Sequence, residues 1–229
     1  MISFLNVFVA VYAALFPIVN PLGAAPIFLN FVRHCSPATR ERVARKVAIY
    51  GFLLLFFSML IGAKVLLFFG VTLPVLRVAG GLVVAAVGWR LLNQDDPPPA
   101  ERAGGAAGDD AAALEQAFYP LTLPLTVGPG TIATAIALST GPAAVVDQDF
   151  AVLAMPFMEE VAGAVAGLAA IALSVYFAFR EAAVIERVIG RTGTSVLVRL
   201  FAFILLAIGL QIIWLGLHEL IGELAATPA

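Results

Sequence analysis

Charge and cysteine are what this sequence has least of. Only 12% of its 229 residues are Asp, Glu, Lys or Arg, against roughly a quarter in soluble globular domains. So few charges cannot clothe the surface of a water-soluble fold. Cys35 is the single cysteine, which excludes an intrachain disulfide and a thiolate cluster for zinc or iron–sulfur chemistry. His34 and His218 fall at the ends of different apolar segments, too far apart for a metal or haem pair, so neither metal nor cofactor is expected. There is no G-x-x-x-x-G-K-[ST] and no G-x-S-x-G, and the pair His218-Glu219 lacks the second His of a zinc-protease helix. An enzyme is therefore not expected. A net charge of −2 and the lack of a basic stripe interleaved with aromatics speak against a nucleic-acid partner.

What is present is apolar sequence, 62% hydrophobic with a mean hydropathy of +1.01. That composition predicts an all-α polytopic membrane protein whose partner is the lipid bilayer. A spanning helix needs about 20 apolar residues, and six segments qualify: Ile2 to Phe31, Pro37 to about Phe69, Leu73 to Leu92, Phe118 to about Thr140, Pro156 to Phe179, and Ser195 to Leu217. The N-terminus has no basic region before its apolar run and reads as a retained span. Ser36-Pro37 reads as an N-cap and first-turn pair. Residues 93–116, rich in Pro, Gly, Ala and acid, read as a flexible linker, which leaves 1–92 and 117–229 as two units of three spans each.

Basic residues resist translocation in short connections. Arg33, Arg40, Arg42, Arg45 and Lys46 follow the first span, Arg90 and Arg102 the third, and Arg180, Arg187, Arg191 and Arg199 the fifth; only Lys64 and Arg77 fall on the other side. Both termini are therefore expected outside, with connections 1–2, 3–4 and 5–6 cytoplasmic.

Two of the spans are odd. FPIVNPLGAAPIFL (Phe16 to Leu29) and YPLTLPLTVGPGTIA (Tyr119 to Ala133) each carry three prolines, and Pro17, Pro21 and Pro26 match Pro120, Pro124 and Pro129 at a constant offset of 103 residues. VTLPVLR, ending at Arg77, and GTSVLVR, ending at Arg199, form a second correspondence before spans three and six. Repeats of three spans enter the membrane from opposite sides, so the halves are expected to be inverted, with helices 1 and 4 broken. Such pairs build secondary transporters, with the site at mid-membrane. Proline removes an N–H and frees a carbonyl, and exposed backbone groups survive in the bilayer only within protein or beside a watery cavity. The half-helix beyond each break offers free N–H groups to an anion. The expected binding residues are Asn20, Pro21, Gly23 and Pro26 in the first break and Thr126, Gly128, Pro129, Gly130 and Thr131 in the second. The glycines would let a ligand approach the backbone. A small zwitterion fits, its carboxylate on the half-helix N-terminus and its ammonium on freed carbonyls and the Asn20 oxygen.

The runs NPLGAAPIF, PLTLPLTVGPGTI, LRVAGGL and AIGLQIIWLGL resemble the MarC family of six-span inner-membrane proteins. That family includes SnatA-like small neutral amino-acid transporters and belongs to the lysine-exporter superfamily. The resemblance covers nearly the whole chain outside the linker. It implies transport of small neutral amino acids such as glycine and alanine, linked to a proton gradient, across a cytoplasmic membrane. A drug or metabolite efflux carrier and a channel-like pore remain alternatives.

Other residues have two readings each. Glu159 and Glu160 are candidates for proton coupling, but with Pro156 as a first-turn residue they read better as first-turn acids at the outer interface. Arg77 and Arg199 are steering or gating candidates or interface anchors, and Lys64 is a snorkelling side chain. Gly163 and Gly167 form a small-residue face for packing within the monomer or across a homo-oligomer.

Overall fold

Proline opens the helices that begin at Pro21, Pro37 and Pro129, and Gly70 closes the second of these. The computed structural model describes residues 2–93, 110–139 and 150–226, and the regular elements among them are all helical. Helix α1 (Ile2–Val19) and α2 (Pro21–Val32) form one bent span; α3 (Pro37–Phe68) and α4 (Leu73–Leu92) follow. A short α5 (Asp110–Glu115) precedes a wide coil at Ala117–Thr126 and then α6 (Pro129–Ser139), α7 (Phe150–Arg180) and α8 (Ala182–Ala226). Four helices are long and apolar enough to cross a membrane, and the count is six if each bent pair, α1 with α2 and the wide coil with α6, is one span.

The caps follow from local chemistry. Ser36 Oγ accepts from the Thr39 N–H at 3.2 Å, with Pro37 in the first turn of α3 as expected. At the other end of α3, Gly70 takes φ +70°. Its N–H donates to Leu67 O at 3.1 Å and that of Val71 to Leu66 O at 2.9 Å, the two bonds of a Schellman close. Arg40 closes α2 from a distance. Its Nε donates to the carbonyls of Val32 (3.1 Å) and Cys35 (3.0 Å), and its Nη2 to that of Arg33 (2.5 Å).

Three expectations need correction. Helix α7 begins at Phe150, not Pro156, because the apolar run before Pro156 continues the helix and a proline deletes only one bond there. Glu159 and Glu160 are therefore not first-turn residues. The stretch between spans five and six is helical, and α8 is bent at Gly190 (φ 70°, ψ 171°) with its most apolar part at Arg199–Gly222. The last residues of the expected linker form α5, whose Asp110 accepts from the Ser36 N–H (3.2 Å) and Oγ (2.9 Å); residues 94–109 lie outside the described residues.

Small residues set the packing. Helices α4 and α8 run antiparallel along a seam of Gly81, Gly88, Gly209 and Gly216. A Cβ on Gly81 would come within 2.8 Å of Gly209 O, on Gly88 within 2.6 Å of Leu206 N, and on Gly216 within 2.8 Å of Pro74 O. Gly163 and Gly167 do the same for α7 against α1, facing the carbonyls of Phe4 and Phe8 at 2.6 and 3.2 Å. That small face is thus used inside the chain. These contacts make α1 and α7 parallel and α4 and α8 antiparallel. The arginine-rich ends of α2, α3 and α7 gather at one end of the bundle, with Arg77 paired to Glu219 at the other.

The seam predicts a contrast between two glycines of one helix. Gly209→Ala forces a Cβ into the α4 backbone at Ala85, whereas Gly222→Ala meets nothing within 4 Å. Thermal unfolding in detergent should show a loss of about 1–3 kcal/mol for the first and no change for the second. Hydrogen bonds from Thr39 and then Ser36 hold the Asp110 carboxyl below its ordinary pKa of 3.8. A depressed folded-state pKa stabilises above the unfolded value and is lost as pH falls through the folded one. The Tm difference between Asp110→Asn and the parent should therefore be full at neutral pH, begin to shrink as pH falls through about 3.8 and vanish only below the lower folded-state pKa.

Candidate functional site at the two helix breaks

The first break is one residue wide. Asn20 adopts φ 47°, ψ 61°, the left-handed region that Asn tolerates better than other non-glycine residues. Its N–H still donates to Phe16 O, its carbonyl accepts from Ala24 N, both at 2.9 Å, and its Oδ1 caps α2 through the Gly23 N–H at 3.0 Å. The axis turns by 44°. Pro17 lies within α1, Pro26 within α2, and Pro21 is the first residue of α2. The sequence suggested an interruption over the whole span from Pro17 to Pro26, but helical bonding resumes at once because the Asn20 side chain does the capping. Gly23 has a steric duty here, since a Cβ would overlap the Asn20 amide.

The second break is built differently. Tyr119 and Leu123 leave helical geometry, and the surrounding turns are wide, with Leu121 N bonded to Gln116 O (3.3 Å) and Val127 N to Thr122 O (2.8 Å). The sequence of this coil repeats Pro-Leu-Thr. Each proline removes a donor, and the threonine two residues later supplies one: Thr122 Oγ1 donates to Ala117 O at 2.6 Å, and Thr126 Oγ1 to Leu121 O at 2.7 Å. Both hydroxyls are almost fully buried. Thr126, a residue expected to bind ligand, has its hydroxyl engaged in this repair. The chain then bends by 66° into α6.

At the start of α6 the repairs stop. Gly128 O accepts from Ile132 N at 3.1 Å, which makes Gly128 the cap position, and Pro129 has no N–H. The N–H groups of Gly130 and Thr131 are first-turn donors without an intrahelical acceptor, and no other acceptor for them is found among the described residues. Thr131 is 3% exposed, and its hydroxyl likewise has no partner among the described residues. The Nδ2 of Asn20, 9% exposed, is in the same position. A buried polar group without a partner costs about 1–3 kcal/mol, so these groups mark where a polar ligand would be accepted. The two breaks are brought toward each other, α1 packing on α6 and α2 on the wide coil.

Gly130 is buried against α4: its Cβ would overlap Val84 Cγ2 and lie 3.2 Å from Gly80 O. Its lack of a side chain admits a helix. Gly128 is more open, with only Pro124 O at 3.4 Å. The remaining candidates lie away from the breaks. Arg77 is ion-paired with Glu219, Arg199 is exposed, and Glu160 is half-buried beside exposed Glu159 on α7. The sequence reading missed Thr122 and the capping role of Asn20. Both had a local signal, a Thr two residues after a Pro and an Asn three residues before a Gly.

Comparison with known proteins groups the chain with integral membrane proteins. The chain is 30% identical to the membrane protein YvbG of Bacillus subtilis (strain 168) over 217 residues, covering 95% of each. It is 32% identical to the inner membrane protein MarC of Escherichia coli (strain UTI89) and 31% identical to MarC of Salmonella typhimurium (strain LT2), each over 211 residues covering 90% of this chain and 92% of the relative. No solved structure matches it. The model of the MarC family integral membrane proteins matches residues 5–221, and the chain belongs to that family.

Proposed function

We propose that this protein is a secondary carrier of small neutral amino acids such as glycine and alanine, working by alternating access around the two breaks. The observation that carries the reading is the group of buried donors without a partner among the described residues: the N–H groups of Gly130 and Thr131 with the Thr131 hydroxyl, and Asn20 Nδ2 on the other broken span. Donors at a helix N-terminus suit a carboxylate. The carbonyls left without donors by Pro21 and Pro26 suit an ammonium group. Small side chains at Gly23, Ala24 and Ala25 suit a substrate of glycine or alanine size.

The packing also supports an inverted pair of three-span units. The first span packs on the fifth, as the fourth does on the second, while the second packs on the fifth and the third on the sixth. A two-fold axis in the membrane plane would produce that pattern. The arginine-rich end is assigned to the cytoplasm, both termini to the outside, and the membrane to the cytoplasmic one, as the names of the MarC relatives suggest.

The reading is tested in proteoliposomes by counterflow, with preloaded alanine accelerating uptake of labelled alanine. A pore gives no acceleration, and a response to an unrelated drug but to no neutral amino acid would move the assignment to efflux. Thr131→Val keeps the shape and removes the hydroxyl; it should raise the half-saturating alanine concentration about 10-fold or more, the effect of leaving a charged group one hydrogen bond short. Asn20→Gly retains the left-handed backbone and should fold but transport poorly. Normal transport by both variants would refute the site.

A further inference from the structure

Beside the arginine-rich end of the first span, the end assigned above to the cytoplasm and away from the breaks, lies a second concave site that the carrier reading does not use. It is an open cleft of about 360 Å³ between α2 and the first turns of α8, lined by Leu29, Arg33, Arg40, Ala183, Glu186, Arg187 and Gly190. Three guanidinium groups meet one carboxylate there. Arg33 Nη2 donates to Glu186 Oε1 at 2.9 Å and to Asn30 Oδ1 at 3.1 Å. Arg40 is fixed by the carbonyls of Val32, Arg33 and Cys35 through its Nε and Nη2. Arg187 is exposed and has no ion-pair or hydrogen-bond partner among the described residues. The cleft therefore holds more positive charge than it neutralises.

Its walls are firm. Phe28 of α2 stacks on Phe179 at the end of α7, ring centroids 4.4 Å apart, and both are nearly fully buried. Ala182 is buried at the start of α8, while Val184 and Val188, one turn apart, are 50% and 79% exposed. The bend at Gly190 ends this short segment. An arginine-lined cleft on a segment that also presents apolar side chains outward has the make-up of a lipid-interface site. Guanidinium forks match the several oxygens of a phosphate, and basic pockets between spanning helices on the cytoplasmic side take acidic headgroups.

We propose that this cleft binds an anionic phosphate group through Arg33, Arg40 and Arg187, supplied by the headgroup of an acidic phospholipid with its acyl chains over Val184 and Val188. Glu186 opposes the ligand and sets its affinity. The site is separate from the breaks, so it stands or falls independently of the transport reading.

The test uses the full chain in mild detergent and reads the rise in Tm with added phosphatidylglycerol, phosphatidylcholine or glycerol phosphate. Phosphatidylglycerol should stabilise, and phosphatidylcholine should not. Arg187→Gln, at an exposed position, should raise the half-effective phosphatidylglycerol concentration several-fold. Glu186→Gln removes the opposing charge and should lower it, a gain that a merely structural ion pair would not give. Equal stabilisation by both lipids, or no response of either variant, would overturn the proposal. Stabilisation by glycerol phosphate alone, lost in Arg187→Gln, would keep the phosphate site and overturn its lipid source.

Discussion

The breaks in the described helices are governed by one constraint, that a backbone donor or acceptor facing the apolar slab must find a partner inside the protein. The prolines break that rule repeatedly, and specific side chains restore it. Asn20 Oδ1 takes the Gly23 N–H, Thr122 and Thr126 serve the carbonyls of Ala117 and Leu121, and Arg40 gathers three carbonyls at the end of α2. The start of α6 stands out because the same economy is not applied there. Gly130 and Thr131 sit in a buried place with their donors open, and the functional reading comes from that contrast rather than from the presence of breaks alone.

Glycine turns out to have two separate duties. Apolar helices gain little from burying apolar area against one another in lipid, so close backbone contact has to supply the attraction. Gly81, Gly88, Gly209 and Gly216 provide it between α4 and α8, Gly163 and Gly167 between α7 and α1, and Gly130 between α6 and α4. Gly130 thus fixes the height and rotation of the α6 N-terminus, and thereby aims the donors it shares with Thr131. Contact with a neighbouring helix is by itself enough to require glycine at that residue.

Much of this was legible in the chain. The limits of α4, the Ser36-Pro37 start of α3 and the existence of both breaks follow from Pro, Gly and apolar runs acting within a few residues. What the sequence hid depends on partners far along the chain. Nothing near Arg77 points to Glu219, nothing near Gly163 points to Phe4, and nothing near Arg33 points to Glu186. Pro156 suits a first turn so well that the sequence alone puts the start of α7 there, whereas the apolar residues before it carry the helix back to Phe150, since a helix tolerates a proline once its lost bond is the only penalty.

The packing divides the bundle in a way that bears on movement. Helices α1, α2 and α7 are bound together by the Gly163 and Gly167 contacts and the Phe28–Phe179 stack, and α4, α6 and α8 by the glycine seam and the Gly130–Val84 contact. Asn20 belongs to the first group and Thr131 to the second. Between the groups, the Arg33–Glu186 pair has side chains 50% and 31% exposed and contributes at most about 1 kcal/mol, while α3 packs on both α7 and α6 and α1 packs on α6. Under the carrier reading, a displacement of one group against the other moves Asn20 relative to Thr131, with α3 in contact with both groups.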